Sequence, residues 1–211
     1  MSVETDPALY KSNYELLEND KYPTEHWIPK ALLLGYNRFD KDGVVWEPAA
    51  GFGDITESLK DRIDNWYLSD IKPDAEGIQV LNFLEQTELP RDDITAIMTN
   101  PPYSNGLAEL FIRKSLNFLH RDDNNLSTVA LLLRSEYNHA VTRRDLFSRE
   151  AGWVLKIDLL TRPRWDWRMP EGERDKAGPR HNFSWYVWDN SSHYSSDYPI
   201  IKSFSKKDTE E

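Results

Sequence analysis

Residues 94–119 constrain the fold more than any other stretch. An apolar run, Ile94-Thr95-Ala96-Ile97-Met98-Thr99, leads into Asn100-Pro101-Pro102-Tyr103. A segment with Leu107, Leu110, Phe111, Leu116 and Leu119 at roughly helical spacing follows. The two prolines supply no backbone donor and fix their own φ near −65°. Pro101 also pushes Asn100 out of the helical region. Strand, stiff loop and helix in this order predict an open α/β sheet, and such sheets place their sites at the carboxyl ends of strands. The loop holds an amide beside an aromatic ring. The amide donates and accepts at once, and the ring can stack on a planar group, so the pair suits an exocyclic amine such as that of adenine. The same residues also suffice for a plain rigid αβ turn with a polar cap.

The flanking segments repeat the strand–turn–helix pattern. Gly43 opens Val44-Val45-Trp46-Glu47, which ends at Pro48-Ala49-Ala50-Gly51-Phe52-Gly53-Asp54, and Ile55 to Leu59 begin a helix. The glycines allow close backbone approach, and the helix start offers free N–H groups. The loop lacks the Lys-Ser/Thr ending of a phosphate-binding loop, and Thr56 breaks the dinucleotide spacing. A nucleoside therefore fits better than a pyrophosphate. A second strand, Trp66 to Ser69, ends in Asp70, placed to accept both hydroxyls of a ribose or to serve as a turn acid or helix cap. After Ile78 to Leu81, Asn82 offers a hydrogen bond to a base and Phe83 or Leu84 a covering face, unless they are ordinary core.

Further strands are expected at Ser127–Leu133, apolar as befits a strand covered on both faces, at Trp153–Leu160 and at Phe183–Asp189. The last two are expected to be antiparallel neighbours. Upstream, Thr24 is placed to cap a helix running to about Leu34. A short helix is expected at Arg143–Arg149. Tyr14, Leu16 and Leu17 of the polar segment 1–20 are expected to dock on the body. Residues 190–211 read as a loose polar tail, with Tyr198-Pro199-Ile200-Ile201 adding an edge contact.

Charge is unevenly spread. The formal net charge is −10, yet residues 143–181 carry ten Lys/Arg against seven Asp/Glu. This basic segment is a candidate phosphate-facing surface, or else a set of partners for nearby acids. Within it, Thr161 to Arg180 is long for a connection and has no period. Its aromatics and arginines, with the preceding pair, give Arg143, Arg144, Arg164, Trp165 and Arg168 as candidate substrate contacts. Cysteine is absent, which excludes disulfides and thiol nucleophiles. His26, His120, His139 and His181 have no ligand-like spacing, so no metal site is expected. No apolar run approaches the ~20 residues needed to span a bilayer, and the acidic N-terminus lacks an apolar signal core. A cytoplasmic protein is expected, with no membrane partner.

Several of these motifs together resemble the S-adenosylmethionine-dependent amino-methyltransferases, above all the DNA adenine-N6 enzymes, including small phage-type members. Tyr22-Pro23-Thr24, Glu47-Pro48-Ala49-Ala50-Gly51-Phe52-Gly53, Asp70, Asn82-Phe83-Leu84 and Asn100-Pro101-Pro102-Tyr103 carry the resemblance across about residues 22–190. It implies an α/β, Rossmann-like class I methyltransferase fold: a mixed seven-stranded sheet, last strand antiparallel, helices on both faces. It implies S-adenosyl-L-methionine held by Tyr22, Pro23, Thr24, Glu47, Pro48, Ala49, Gly51, Gly53, Asp54, Asp70, Asn82 and Phe83. It implies methyl transfer to adenine N6 of DNA by Asn100, Pro101, Pro102 and Tyr103. The expected organisation is a single domain over 1–211, with 1–21 and 190–211 as terminal extensions and 161–181 as a substrate-binding loop. Asn82 departs from the family's aspartate, and no segment has room for a separate target-recognition domain. That leaves open RNA, a free nucleotide or a protein glutamine as acceptor, a homodimer or partner subunit, and a non-catalytic methyltransferase-like nucleic-acid-binding subunit.

Overall fold

The computed structural model describes residues 22–176, 178–191 and 199–210. The expectations for Tyr14, Leu16, Leu17 and Tyr198 lie outside these residues. Eight strands form one sheet: β1 (Val44–Glu47), β2 (Trp66–Asp70), β3 (Gln79–Val80), β4 (Ile94–Thr99), β5 (Thr128–Arg134), β6 (Trp153–Leu159), β7 (Phe183–Asp189) and β8 (Ile200–Phe204). Their order is β3-β2-β1-β4-β5-β7-β6-β8. Neighbours from β3 to β5 are parallel, and β7 runs antiparallel between β5 and β6. β8 lies parallel to β6 at the outer edge.

The strand alternation feeds two cores, one on each face. Val129, Leu131 and Leu133 of β5, with Tyr186 and Trp188 of β7, pack under α3 (Leu107–Leu119). Ala130 and Leu132, with Trp185 and Val187, pack under α1 (Trp27–Gly35) and α2 (Asp54–Leu59). Helix α1 lies so close to the sheet that a Cβ on Gly35 would come within 2.4 Å of Ile157. Pro29 is tolerated as the third residue of α1 because first-turn N–H groups have no intrahelical partner. Among the described residues no helix is long and apolar enough to cross a membrane.

Four expectations are corrected. The sheet has eight strands rather than seven. The edge contact expected at Ile200-Ile201 is present, but it extends into a strand, Ile200–Phe204, and the described residues after it are not a loose tail, since the following turn, Lys206–Thr209, is closed by a Ser205–Asp208 capping box. Lys202 Nζ ties this strand to the Gly35 carbonyl at 2.7 Å. Residues 143–149 are not a helix. A 3₁₀ turn covers Val141–Arg143, and the bond from Leu146 N–H to Arg143 O keeps i→i−3 spacing, so no α ladder starts. Thr24 does not cap α1. The cap position is His26, without a side-chain bond, because both polar groups of Thr24 are engaged elsewhere.

Candidate active site

Three adjacent parallel strands end on one side of the sheet: β2 in Asp70, β1 in Glu47, and β4 just before Asn100. The glycine loop leaves β1 with φ of 50° at Gly51 and 74° at Gly53. A Cβ at either would meet nothing within 4 Å, so backbone conformation rather than crowding calls for glycine. Asp70 anchors this loop, accepting the Gly51 N–H at 2.9 Å and the Lys72 N–H at 2.8 Å. A carboxylate has about four acceptor positions, so both oxygens keep capacity for a ligand's hydroxyls.

The segment before α1 closes the other side. The Thr24 N–H donates to Asp54 Oδ2 at 3.0 Å. Asn100 Nδ2 donates to Tyr22 O and to Thr24 Oγ1, each at 3.1 Å. With both amide protons so placed, the orientation of the Asn100 side chain is fixed and its oxygen is the available end. Oδ1 accepts the Tyr103 hydroxyl, which also lies 2.8 Å from Leu132 O. One phenolic proton thus faces two acceptors. The Tyr103 ring lies between Tyr22 (5.3 Å) and Phe183 (5.4 Å), and Trp165 contacts both of these, at 5.6 and 4.9 Å. Four aromatic rings therefore cluster beside Asn100.

A single cleft gathers most of the residues singled out in the sequence. Tyr22, Pro23, Thr24, Glu47, Pro48, Ala49, Gly51, Asp54, Asp70, Asn82, Phe83, Asn100 and Pro102 all line it. Gly53, Pro101 and Tyr103 adjoin it without lining it. Ala50, Phe52, Ile71, Leu81, Leu84 and Phe111 line it as well. Phe111 reads in the sequence as helix core, although it sits in the first turns after the Asn100 loop, which is a signal for the site. Asn82 Oδ1 accepts the Leu84 N–H at 3.1 Å and caps a short turn.

The cleft is acidic. Glu47, 2% exposed, accepts the Thr56 hydroxyl at 3.0 Å. Burial lifts its carboxyl well above the ordinary 4.5, and the nearby Asp54 and Asp70 add to this against the Thr56 bond. Between 4.5 and the raised value the folded chain holds a proton that the unfolded chain has lost, so stability falls as pH rises through this window. Glu47→Gln is expected to remove that slope. The two proteins should be matched at low pH, and the variant should pull ahead by urea denaturation as pH climbs. A constant gap at all pH values would sink this account.

The basic residues separate into two groups. Arg143 stacks on Tyr137 at 4.0 Å and lies 3.9 Å from Glu109. Neither it nor the exposed Arg144 lines the cleft. The 161–181 loop instead folds onto the cleft's rim. Arg164 binds Asp166 through its side chain and Glu25 through its N–H, at 2.8 Å. The Trp167 indole donates to Pro23 O at 2.9 Å. Arg168 pairs with Asp54 and lies 4.7 Å from the Phe52 ring centroid. Arg168, expected to contact phosphate, is held here by a carboxylate of the cleft. Glu25 and Trp167, which no sequence motif marked, are the loop's docking points.

No protein-family model and no curated protein matches the chain. Solved structures do match in shape. A candidate class I S-adenosylmethionine-dependent methyltransferase of Listeria monocytogenes superposes with a TM-score of 0.56 at 13% identity, over 97% of this chain and 72% of that one. A candidate RNA methyltransferase of Pyrococcus horikoshii gives 0.52 at 16% identity, over 76% and 81%. The methyltransferase subunit of a type I restriction-modification system of Streptococcus thermophilus gives 0.50 at 11% identity, over 82% and 46%. The chain has the class I methyltransferase fold. S-adenosyl-L-methionine is the cofactor to which this methyltransferase fold is suited. In it the acidic cleft lies at the carboxyl ends of β1, β2 and β4, and β8 lies at the outer edge, beyond β6.

Proposed function

We propose that the protein transfers a methyl group from S-adenosylmethionine to the N6 amine of adenine in a nucleic acid, DNA being the first reading. The observation that carries this is the Asn100 amide, clamped by Tyr22 O and Thr24 Oγ1 in the wall of the cleft that also holds Asp70 and the glycine loop. The cleft's chemistry fits the cofactor. Asp54 and Asp70 offset its sulfonium and ammonium charges, Asp70 offers acceptors for ribose hydroxyls, and Phe83 and Leu84 supply apolar surface for its base. When bound, the cofactor supplies an electrophilic methyl group on sulfur.

The residues of the chain do the positioning. Asn100 Oδ1 accepts an amine hydrogen, which favours a tetrahedral nitrogen over one conjugated with the ring. As it does so, the Tyr103 hydroxyl swings its proton to Leu132 O, an acceptor already within 2.8 Å. The Pro101 carbonyl is the candidate for the second amine hydrogen. Tyr22, Tyr103, Trp165 and Phe183 enclose the base, and the gain is one of orientation and electrostatics. Inside a duplex the base must flip out, costing a few kcal/mol. The roles expected of the cofactor set, the catalytic set and Trp165 are part of this proposal. Arg143, Arg144 and Arg164 remain candidates for phosphates.

RNA adenine is the second reading. The loop arginines Arg164, Arg168 and Arg174 are bonded within the loop or to Asp54. That favours a base already unstacked over a gripped duplex. A candidate RNA methyltransferase has this fold. Tritiated methyl transfer to double-stranded DNA, single-stranded DNA, RNA and a glutamine-containing protein extract, followed by nucleoside chromatography, tests both. The expected product is N6-methyl-2′-deoxyadenosine. The ribonucleoside would move the acceptor to the second reading. Label in protein alone, or none despite cofactor binding, would overturn the adenine assignment.

A further inference from the structure

The cleft has an unmatched requirement. Glu47, Asp54 and Asp70 line it, but among the described residues no lysine, arginine or histidine does. The proposed cofactor carries an amino-acid carboxylate as well as two positive centres. A carboxylate entering beside Asp54 and Asp70 needs a cation, since like charges at close range repel and a desolvated anion without a partner is costly.

A cation with spare donors at the cleft's rim is Arg168. Its Nε and Nη2 bond to Asp54 Oδ1, and its guanidinium carbon lies 4.7 Å from the centre of the Phe52 ring. Asp54 and Phe52 both line the cleft, so Arg168 sits on the rim. Its Nη1 has no hydrogen-bond partner among the described residues. The Trp167 ring centre lies 5.2 Å from the same guanidinium carbon, and its indole bonds the carbonyl of Pro23, which lines the cleft. The neighbouring arginines are held by groups that do not line the cleft: Arg164 by Asp166 and the Asp175 carbonyl, Arg174 by the Met169 and Trp167 carbonyls. Arg168 is thus held in place by Asp54, close to two rings, and left with Nη1 unbonded.

We propose that Arg168 binds the carboxylate of the cofactor's amino-acid chain. The 161–181 loop is then a cap on the cofactor, with Asp54 as the residue that positions Arg168. A guanidinium suits this task because its planar fork keeps donors for a second anion after the first is bound. The inference rests on the cleft being the S-adenosylmethionine site.

Titration calorimetry with two probes separates the possibilities. S-adenosylhomocysteine has the amino-acid chain, whereas 5′-methylthioadenosine has the nucleoside without it. Arg168→Ala is expected to weaken S-adenosylhomocysteine binding roughly 10- to 100-fold, the usual range for a lost charge-assisted hydrogen bond. Binding of 5′-methylthioadenosine should be unchanged, and Arg168→Lys should fall between. Equal loss for both probes would mean that Arg168 only holds the loop in place, and would overturn the proposal. So would unchanged binding of both. If the unaltered protein bound neither probe, the cofactor reading itself would fall.

Discussion

Asn100→Ala is expected to reduce kcat roughly 10²- to 10³-fold, the scale seen when one preorganised polar group is removed from a reacting centre. Cofactor affinity should change little. The side chain contributes one polar atom to a cleft whose glycine loop, Asp70 and Asn82 are anchored independently of it. The variant carries a structural cost. Tyr22 O and the Thr24 hydroxyl lose the amide that bonds them, and an unmatched polar group typically costs ~1–3 kcal/mol. The decisive comparison is therefore single-turnover methyl transfer at saturating cofactor, beside calorimetric affinity for S-adenosylhomocysteine. Turnover near that of the unaltered protein would remove Asn100 from the chemistry. Loss of both affinity and turnover would make it a structural tie between the segment at Tyr22 and β4.

The largest stability effect is expected at Trp46. Its ring is wholly buried one residue before Glu47, its indole donates to Ser69 Oγ at 2.8 Å, and it packs on Phe83 at 5.1 Å between centroids. Trp46→Ala should cost ~3–5 kcal/mol, from cavity formation together with the unpaired hydroxyl of the fully buried Ser69. That is a large share of the 5–15 kcal/mol typical of a domain. Because Phe83 lines the cleft, the cavity also loosens the wall behind the candidate adenine pocket. Trp46→Phe keeps most of the packing and loses only the hydrogen bond, so it should cost about a third as much. Urea denaturation of the three proteins reads both differences. A loss below ~1 kcal/mol for the alanine variant would show that the Trp46 cavity closes by repacking.

Much of the sheet is legible in the sequence because it is sharply punctuated. Gly43 and Pro48 bracket β1, Asn100-Pro101-Pro102 stops β4, and β5 is an unbroken apolar run between polar loops. Helix α3 shows its 3.6-residue period plainly. By contrast, β8 lacks alternation. Ile200 and Ile201 are adjacent and exposed, and only pairing with β6 and the Lys202 tie to Gly35, 167 residues away, make it a strand. Glu47, Asp70 and Asn100 are legible for another reason: each sits where a strand gives way to a loop, and in a parallel sheet those ends meet. What charge counting could not show is the destination of each arginine. Arg168 and Asp54 are 114 residues apart, and their pairing exists only once the loop has folded across the rim. The turn at 141–150 is a milder case, since its apolar residues, Leu146 and Phe147, anchor a chain reversal as readily as a helix.

The position of β7 also bears on how the chain reaches its native state. β5 and β6 touch through β7, which is made after both. Emerging from the ribosome, β5 and then β6 each present an open edge until Phe183–Asp189 is available to bridge them, and open edges invite pairing with other chains. The strands bearing Glu47, Asp70 and Asn100 need only one another and β3, so the floor of the cleft can form early. Tyr103, held through Leu132 on β5 and against Phe183 on β7, acquires its surroundings last. Long-range closure of this kind slows folding. The interval of greatest exposure to aggregation is therefore the synthesis of the roughly thirty residues between β6 and the end of β7.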